Sequence, residues 1–405
     1  MAKFRKTWLI AGAFALAIAA PAQAQKKYDE GASDTEIKIG HTNPYSGNAS
    51  AYGVIGKTIE ATFKMVNDKG GINGRKINFI TYDDGYSPPK TVEMVRKLVE
   101  EDKVLFLFNT LGTPPNTAIH KYMNAKKVPQ LFVATGASKW GDPKNFPWTM
   151  GWQPDYATEA AIYAKHILKT VKDPKIGILM QNDDYGKDYL NGFKKGLGKE
   201  NEKLIVQLAT YEVTDPTVDS QMIQLKNSGA NVFFNITTPK FAAQAIKKAA
   251  EIGWKPVHYL NNVSSSFATV FKPAGLDASQ GIILALYRKD ANDPQWAKSP
   301  DVIAWKEFMA KYQPGVDIKD DGANFGYAVT NTLIEVLKRC GDNLTRENVM
   351  KQAASLHNLE VPMLLPGIKI STSATDFYPI QSVRLARVKG ESFELFGDIL
   401  SNESE

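Results

Sequence analysis

The five histidines, His41, His120, His166, His258 and His357, are the side chains best able to ligate a metal or shuttle a proton, and they are scattered along the chain. No two stand three or four residues apart, and the single cysteine, Cys340, has no Cys or His partner nearby in sequence, so a zinc site lacks its spacing. A nucleophile elbow requires Gly-x-Ser-x-Gly, whereas Gly136-Ala137-Ser138-Lys139-Trp140 ends in the wrong residue. Gly56-Lys57-Thr58 resembles the tail of a phosphate loop, but the earlier glycine is replaced by Ala51 and the tripeptide sits in an amphipathic stretch. Gly196-Leu197-Gly198 continues into Lys199, Glu200 and Asn201 and lacks the last glycine of a dinucleotide fingerprint. Two acidic pairs, Asp83-Asp84 and Asp183-Asp184, are open to two readings: a cation or proton site, or helix caps that face water. No metal site, cofactor or catalytic residue is expected.

Binding chemistry has better candidates. Asn109 to Asn116 follows an apolar run, with Thr113 an expected helix cap and Pro114 and Pro115 in the first turn. Amides around Gly112 and Thr113, beside the positive end of that helix, would suit an anion. The next apolar run ends in Ala134-Thr135-Gly136-Ala137-Ser138, small residues that let a ligand approach the backbone. From the residues alone, both loops read equally well as ordinary turns.

These loops need strands before them and helices behind them. The spacing predicts strands over Ile37–His41, Ile77–Tyr82, Val104–Phe108, Gln130–Val133, Ile176–Met180, Leu204–Tyr211, Val232–Ile236, Val257–Leu260 and Ile282–Leu286. Between them lie amphipathic segments; Ile55, Ile59, Phe63 and Val66 recur at helical spacing before Gly70-Gly71 stops the run. Further helices are predicted near 89–101, 115–126, 156–169, 186–198, 218–228, 239–252, 301–312, 325–340 and 345–355. Such alternation is the pattern of an α/β fold with parallel sheets. The stretch Ile77–Leu98 is echoed by Ile176–Leu197, which predicts two similar lobes joined through residues 145–155.

The 405 residues, 43% hydrophobic and 23% charged, suffice for two or three packed domains. Basic residues exceed acidic ones by six, but Lys3, Arg5 and Lys6 lie at the N-terminus, and no basic run interleaved with aromatics occurs, so nucleic acid is not an expected partner. Those three charges, the apolar run Trp8–Ala20 and Ala22-Gln23-Ala24 read as a cleavable secretory signal over residues 1–24, which predicts an exported, periplasmic protein. Cys340 lies on the stripe Val329, Leu333, Val336, Leu337 and is expected to be a buried small hydrophobe.

Ile37-Lys38-Ile39-Gly40, Tyr45-Ser46-Gly47, Tyr52-Gly53, Asn67-Asp68-Lys69-Gly70-Gly71-Ile72-Asn73-Gly74, Tyr82-Asp83-Asp84, Asn182-Asp183-Asp184-Tyr185-Gly186 and Phe325-Gly326-Tyr327-Ala328 together resemble the periplasmic leucine/isoleucine/valine-binding proteins. The resemblance implies a type I periplasmic-binding-protein fold: two Rossmann-like lobes with parallel central sheets, joined by three hinge crossovers near Gln153, Tyr287–Asp290 and Ser371–Thr375. Lobe 1 would comprise residues 35–153 plus 290–370, and lobe 2 residues 154–287 plus 376–400. It further implies a monomer that closes on a small molecule and docks on the inner-membrane permease of an ABC importer.

Carried across position by position, the family's carboxylate grip falls on Gly112, Thr113, Ala134, Thr135 and Gly136, and its aromatic walls on Tyr52, Tyr185 and Tyr327. Thr238 stands where an aromatic wall is common, and Tyr86 and Leu111 stand where the family has a disulfide. The acid expected to neutralise an amino acid's ammonium is replaced by Asn262, which makes an aromatic acid the expected ligand and a branched-chain amino acid the alternative. Ser264 and Ser265 could bond a ligand hydroxyl, and Trp140, Trp152 and Phe267 favour a flat or apolar body. A protein that feeds a periplasmic sensor is a further alternative.

Overall fold

The computed structural model describes residues 26–401; the expected leader and residues 402–405 lie outside them. The chain opens with β1 (Lys27–Tyr28), β2 (Glu36–Asn43), α1 (Gly53–Asp68), β3 (Lys76–Asp83), α2 (Pro88–Arg96), β4 (Phe106–Phe108), α3 (Thr113–Lys126), β5 (Gln130–Val133) and β6 (Thr149–Gly151). A second series follows: α4 (Tyr156–Thr170), β7 (Ile176–Gln181), α5 (Asp184–Leu197), β8 (Ile205–Tyr211), α6 (Asp219–Asn227), β9 (Val232–Ile236), α7 (Pro239–Glu251), β10 (Val257–Leu260), the short α8 (Lys272–Ala274) and α9 (Leu276–Ser279), and β11 (Ile283–Leu286). Then come α10 (Pro300–Tyr312), α11 (Asp321–Cys340), β12 (Asn343–Leu344), α12 (Arg346–Ala353), β13 (Ser382–Lys389) and β14 (Ser392–Ser401).

Two sheets organise these elements. Lobe 1 holds a parallel sheet in the order β3-β2-β4-β5-β6. In lobe 2 the strands β8-β7-β9-β10-β11 are parallel in the corresponding order, so the predicted echo is a repeat of topology. The hairpin β13–β14, absent from the expected strands, extends that sheet in antiparallel register. Its first strand alternates only partly and its second is mostly half-exposed, so the local pattern of a buried strand is weak there. β1 pairs with β12 away from both sheets.

The apolar stripe of α1 is buried at Ile55, Ile59 and Phe63. In lobe 2, α4 and α5 pack unusually closely, because Gly192 and Gly196 face Ala157 and Ala161; a Cβ at Gly192 would stand 2.3 Å from Ala157 Cα. That seam carries Tyr189 of α5 to α4. Cys340 is buried at the end of α11, where burial pushes its thiol up to about 12. No helix among the described residues is long and apolar enough to cross a membrane.

In a parallel α/β sheet ligands bind beyond the carboxyl ends of the strands, where the strand order reverses. Here the loops after β2, β4 and β5 face those after β7, β9 and β10. The lobes touch across the gap: Asn48 Nδ2 donates to the Val213 carbonyl at 2.8 Å, and Lys240 Nζ donates to Asn48 Oδ1 at 3.0 Å. On another side of the cleft, Lys139 pairs with Asp184 at 2.7 Å and the Ser138 hydroxyl donates to Asp188 at 2.5 Å.

Candidate functional site

A cavity with about 70 Å³ of water-accessible space lies between the lobes. Lobe 1 contributes Tyr52, Tyr86, Gly112, Thr113 and Ala134; lobe 2 contributes Tyr156, Tyr185, Thr238 and Asn262. The crossover residue Arg288 and the start of α11, with Asp320, Asp321 and Phe325, complete the wall.

The structure sorts the expected grip residues. α3 begins at Thr113 with Gly112 as its cap, not with Thr113 as the cap. Gly112 adopts φ +99°, and a Cβ there would meet the Tyr86 ring at 2.5 Å, so the close turn requires glycine. The Gly112 amide is not exposed to an anion, because it donates to the Ala134 carbonyl at 3.2 Å; the Ala134 and Thr135 amides are likewise spent on Thr110 and Val133. Pro114 and Pro115 have no N–H, and Asn116 N returns to the Gly112 carbonyl at 3.0 Å. Thr113 is the remaining N–H of that turn, and among the described residues no backbone carbonyl takes it. Its hydroxyl lies 2.6 Å from that of Thr135, which stands one layer behind the wall. Gly136 also lies behind the wall and accepts the Tyr156 amide at 2.7 Å. Burial pushes the Tyr156 phenol up to about 12, opposed by the polar groups of Thr135, Gly136 and Thr113 beside it. The polar end at α3 therefore consists of the Thr113 amide and hydroxyl, with the Tyr156 hydroxyl on the same wall.

Tyr52 and Tyr185 line the cavity, and Tyr327 does not. Tyr327 packs against Trp305 and Phe308 at ring separations of 5.1 and 4.8 Å, in a satellite core below α11. Phe325 turns toward the cleft instead, since residues two apart on a helix point about 200° apart. The Tyr185 hydroxyl donates to the Asn261 side-chain oxygen at 2.6 Å when that amide is oriented to satisfy the Asn235 and Thr237 carbonyls. Its ring stands edge-on to Tyr156, which stacks on Tyr189 at 4.3 Å. Thr238 lines the cavity, and its amide donates to the Tyr211 hydroxyl at 3.0 Å.

Asn262 borders the cavity, yet the neutral residue does not leave the cleft without carboxylates. Asp321 accepts from Arg288 Nη2 at 2.5 Å, and the Ser265 hydroxyl lies 3.0 Å from it. Burial pushes Asp320 up to about 7, partly offset by the Gly322 amide. Ser264 and Ser265 donate to the Thr237 and Asn262 carbonyls and are not presented to a ligand. Trp140, Trp152 and Phe267 are structural: Trp140 packs on His120, Trp152 stands edge-on to Phe325, and Phe267 packs on Phe393.

The acidic pairs act as turn and helix caps. Asp84 accepts from the Tyr86 amide and the Thr91 hydroxyl, and Asp183 accepts from the Tyr185 and Gly186 amides. Among the described residues no group of His, Cys, Asp and Glu is gathered as a metal site would need. Sequence reasoning missed Tyr86, Tyr156, Arg288, Asp320 and Asp321 on the wall. Arg288 stands within the expected hinge and Tyr156 directly follows the helix cap Asp155, so both had a local signal; the two aspartates had none.

The family described as Periplasmic binding protein matches residues 36–392. Leu/Ile/Val-binding protein homolog 1 of Brucella suis biovar 1 (strain 1330) is 26% identical over 334 residues, covering 78% of this chain and 82% of that one. A Thermus thermophilus structure titled as a branched chain amino acid ABC transporter with bound valine superimposes with a TM-score of 0.81 at 17% identity, over 91% of this chain and 97% of that one. An ABC-transporter solute binding protein from R. palustris in complex with benzoate does so with a TM-score of 0.74 at 21% identity, over 91% and 98%. At such identities the two structures speak for the fold, and the family match speaks for descent. The chain belongs to the periplasmic binding protein family.

Proposed function

We propose that this protein captures a small carboxylate with an apolar or aromatic body and delivers it to the inner-membrane permease of an ABC importer, without chemistry and as a monomer. The family is one of periplasmic substrate-binding proteins, which supports the location. In this reading residues 1–24 are the export signal, lobe 1 is 35–153 plus 290–370, and lobe 2 is 154–287 plus 376–400.

One observation carries the ligand class: the interlobe cavity is walled by the rings of Tyr52, Tyr86, Tyr156, Tyr185 and Phe325, with the Thr113 amide and hydroxyl at one end. Rings bind an apolar body, and the start of α3 favours negative charge. The benzoate held by the R. palustris neighbour supports this choice. A second reading, a hydrophobic amino acid, is favoured by Asp320 and Asp321 on the wall, either of which could face an ammonium, and by the valine in the T. thermophilus neighbour.

Calorimetry with benzoate, methyl benzoate, 4-hydroxycinnamate, leucine and valine tests both. Binding of an aromatic acid with at least a roughly tenfold loss on esterification is expected, since bonds to a charged group contribute about 1.5 to 3 kcal/mol each. Tight leucine binding with none to the aromatic acids moves the assignment to the second reading. Equal affinity for acid and ester removes the carboxylate from it, and a bound metabolite recovered chemically altered refutes capture without chemistry.

A further inference from the structure

Glu159 stands in the first turn of α4, where an acid ordinarily faces water beside the positive helix end, yet it is wholly buried. Its two oxygens have four polar neighbours within hydrogen-bond distance. Oε1 accepts from the Asn262 backbone amide at 2.8 Å and lies 2.8 Å from the Tyr163 hydroxyl, whose one proton it shares with the Leu260 carbonyl at 2.9 Å. Oε2 accepts from the Tyr189 hydroxyl at 2.7 Å and from Asn262 Nδ2 at 2.5 Å. The close α4–α5 seam at Gly192 and Gly196 is what brings Tyr189 within reach. Burial pushes the carboxyl up to about 7, against these hydrogen bonds.

The consequence falls on Asn262, which borders the cavity. The oxygen and nitrogen of a side-chain amide lie in one plane and point away from each other. With the nitrogen drawn to Glu159, the oxygen is the atom left to face the cleft. Among the described residues nothing donates to Asn262 Oδ1, and it is not among the buried polar atoms left without a partner, so it is reachable from the cavity.

We propose that Glu159 is a positioning residue for ligand selection: it holds Asn262 by its nitrogen, so lobe 2 offers an acceptor, and the cleft selects carboxylates whose body carries a hydrogen-bond donor, a hydroxyl or an ammonium. This rests on the reading that a carboxylate occupies the cleft. Replacing Glu159 by Gln puts an N–H where Oε2 accepted, which Asn262 meets by turning over and presenting its own N–H to the ligand.

The test compares wild type and Glu159→Gln in calorimetry with 4-hydroxybenzoate against benzoate and 4-methoxybenzoate, and leucine against 4-methylpentanoate; the first set reads a hydroxyl, the second an ammonium. Wild type is expected to prefer the donor-bearing member of one set about tenfold, a neutral hydrogen bond's worth, and Glu159→Gln to abolish or reverse that preference toward the methoxy acid. A folded Glu159→Gln protein that keeps the wild-type preference overturns the proposal. A ligand-free readout separates it from the reading beneath it: the Asn262 side-chain amide, assigned by its loss in Asn262→Asp, should exchange slowly in wild-type NMR spectra and change in Glu159→Gln. Fast exchange in wild type overturns the positioning whatever binds. Slow exchange with no binding of any of these carboxylates supports the positioning and refutes the ligand class.

Discussion

The Tyr52 hydroxyl, carried by lobe 1, donates to the Val263 carbonyl of lobe 2 at 3.0 Å, so one side chain both walls the cavity and ties the lobes across it. Tyr52→Phe keeps the ring and removes that bond. Ligand affinity should fall about two- to tenfold, the range for a hydrogen bond of about 0.5 to 1.5 kcal/mol, by calorimetry. An unchanged dissociation constant would show that the bond does not contribute to the liganded, closed state.

Arg288 is buried against Tyr287 and Phe325, and its partner is Asp321 at 2.5 Å. Asp321→Asn leaves a guanidinium among rings without a counter-charge, and should cost about 3 to 5 kcal/mol in urea unfolding. The double change Arg288→Met with Asp321→Asn should recover part of that loss. Additive effects of the two single changes would mean the pair is not coupled.

Gly112→Ala places a Cβ at φ +99° and 2.5 Å from the Tyr86 ring. The strain predicts a loss of about 1 to 3 kcal/mol in denaturant unfolding and weaker ligand binding, because the turn that aims Thr113 must shift. Adding Tyr86→Ala should relieve the collision and leave the backbone strain, so rescue should be partial; full rescue would deny the strain.

Glu159 and Asp320 are both raised by burial to about 7 from ordinary values of 4.5 and 3.8. Tyr163 on α4, its cap Asp155 and Tyr189 on α5 face the first; Asp321, Asp317 and Ser266 face the second. A raised acid holds its proton in the folded state after the unfolded chain has lost it, so the stability it contributes is full below pH 4 and lost as pH rises through 7. Thermal scans from pH 4 to 8 should therefore show a falling contribution that Glu159→Gln and Asp320→Asn each flatten. A slope that survives both substitutions would place its origin in other groups.

Strand and helix order was legible because it is local. Alternation and helical spacing report which face of an element is covered, and they marked the parallel strands of both sheets except the three-residue β6, which fell in the expected connection 145–155, along with the loops after β4 and β5 that border the cleft. The C-terminal hairpin escaped because β14 is mostly half-exposed and shows no clear alternation. Tyr327 was misplaced for a related reason: the same burial pattern serves a satellite core and a cavity wall, and Phe325, two residues away, occupies the wall.

By itself, the sequence determined the α/β repeat and the tyrosines at positions 52 and 185 that become cavity walls. Only the tertiary structure decided which polar atoms remain free there. Whether the Gly112 N–H is available depends on the Ala134 carbonyl of the neighbouring loop, and which face Asn262 shows depends on Glu159, 103 positions away. A hydrogen bond between elements is set by the distance and angle at which those elements pack, and no local residue pattern carries that distance.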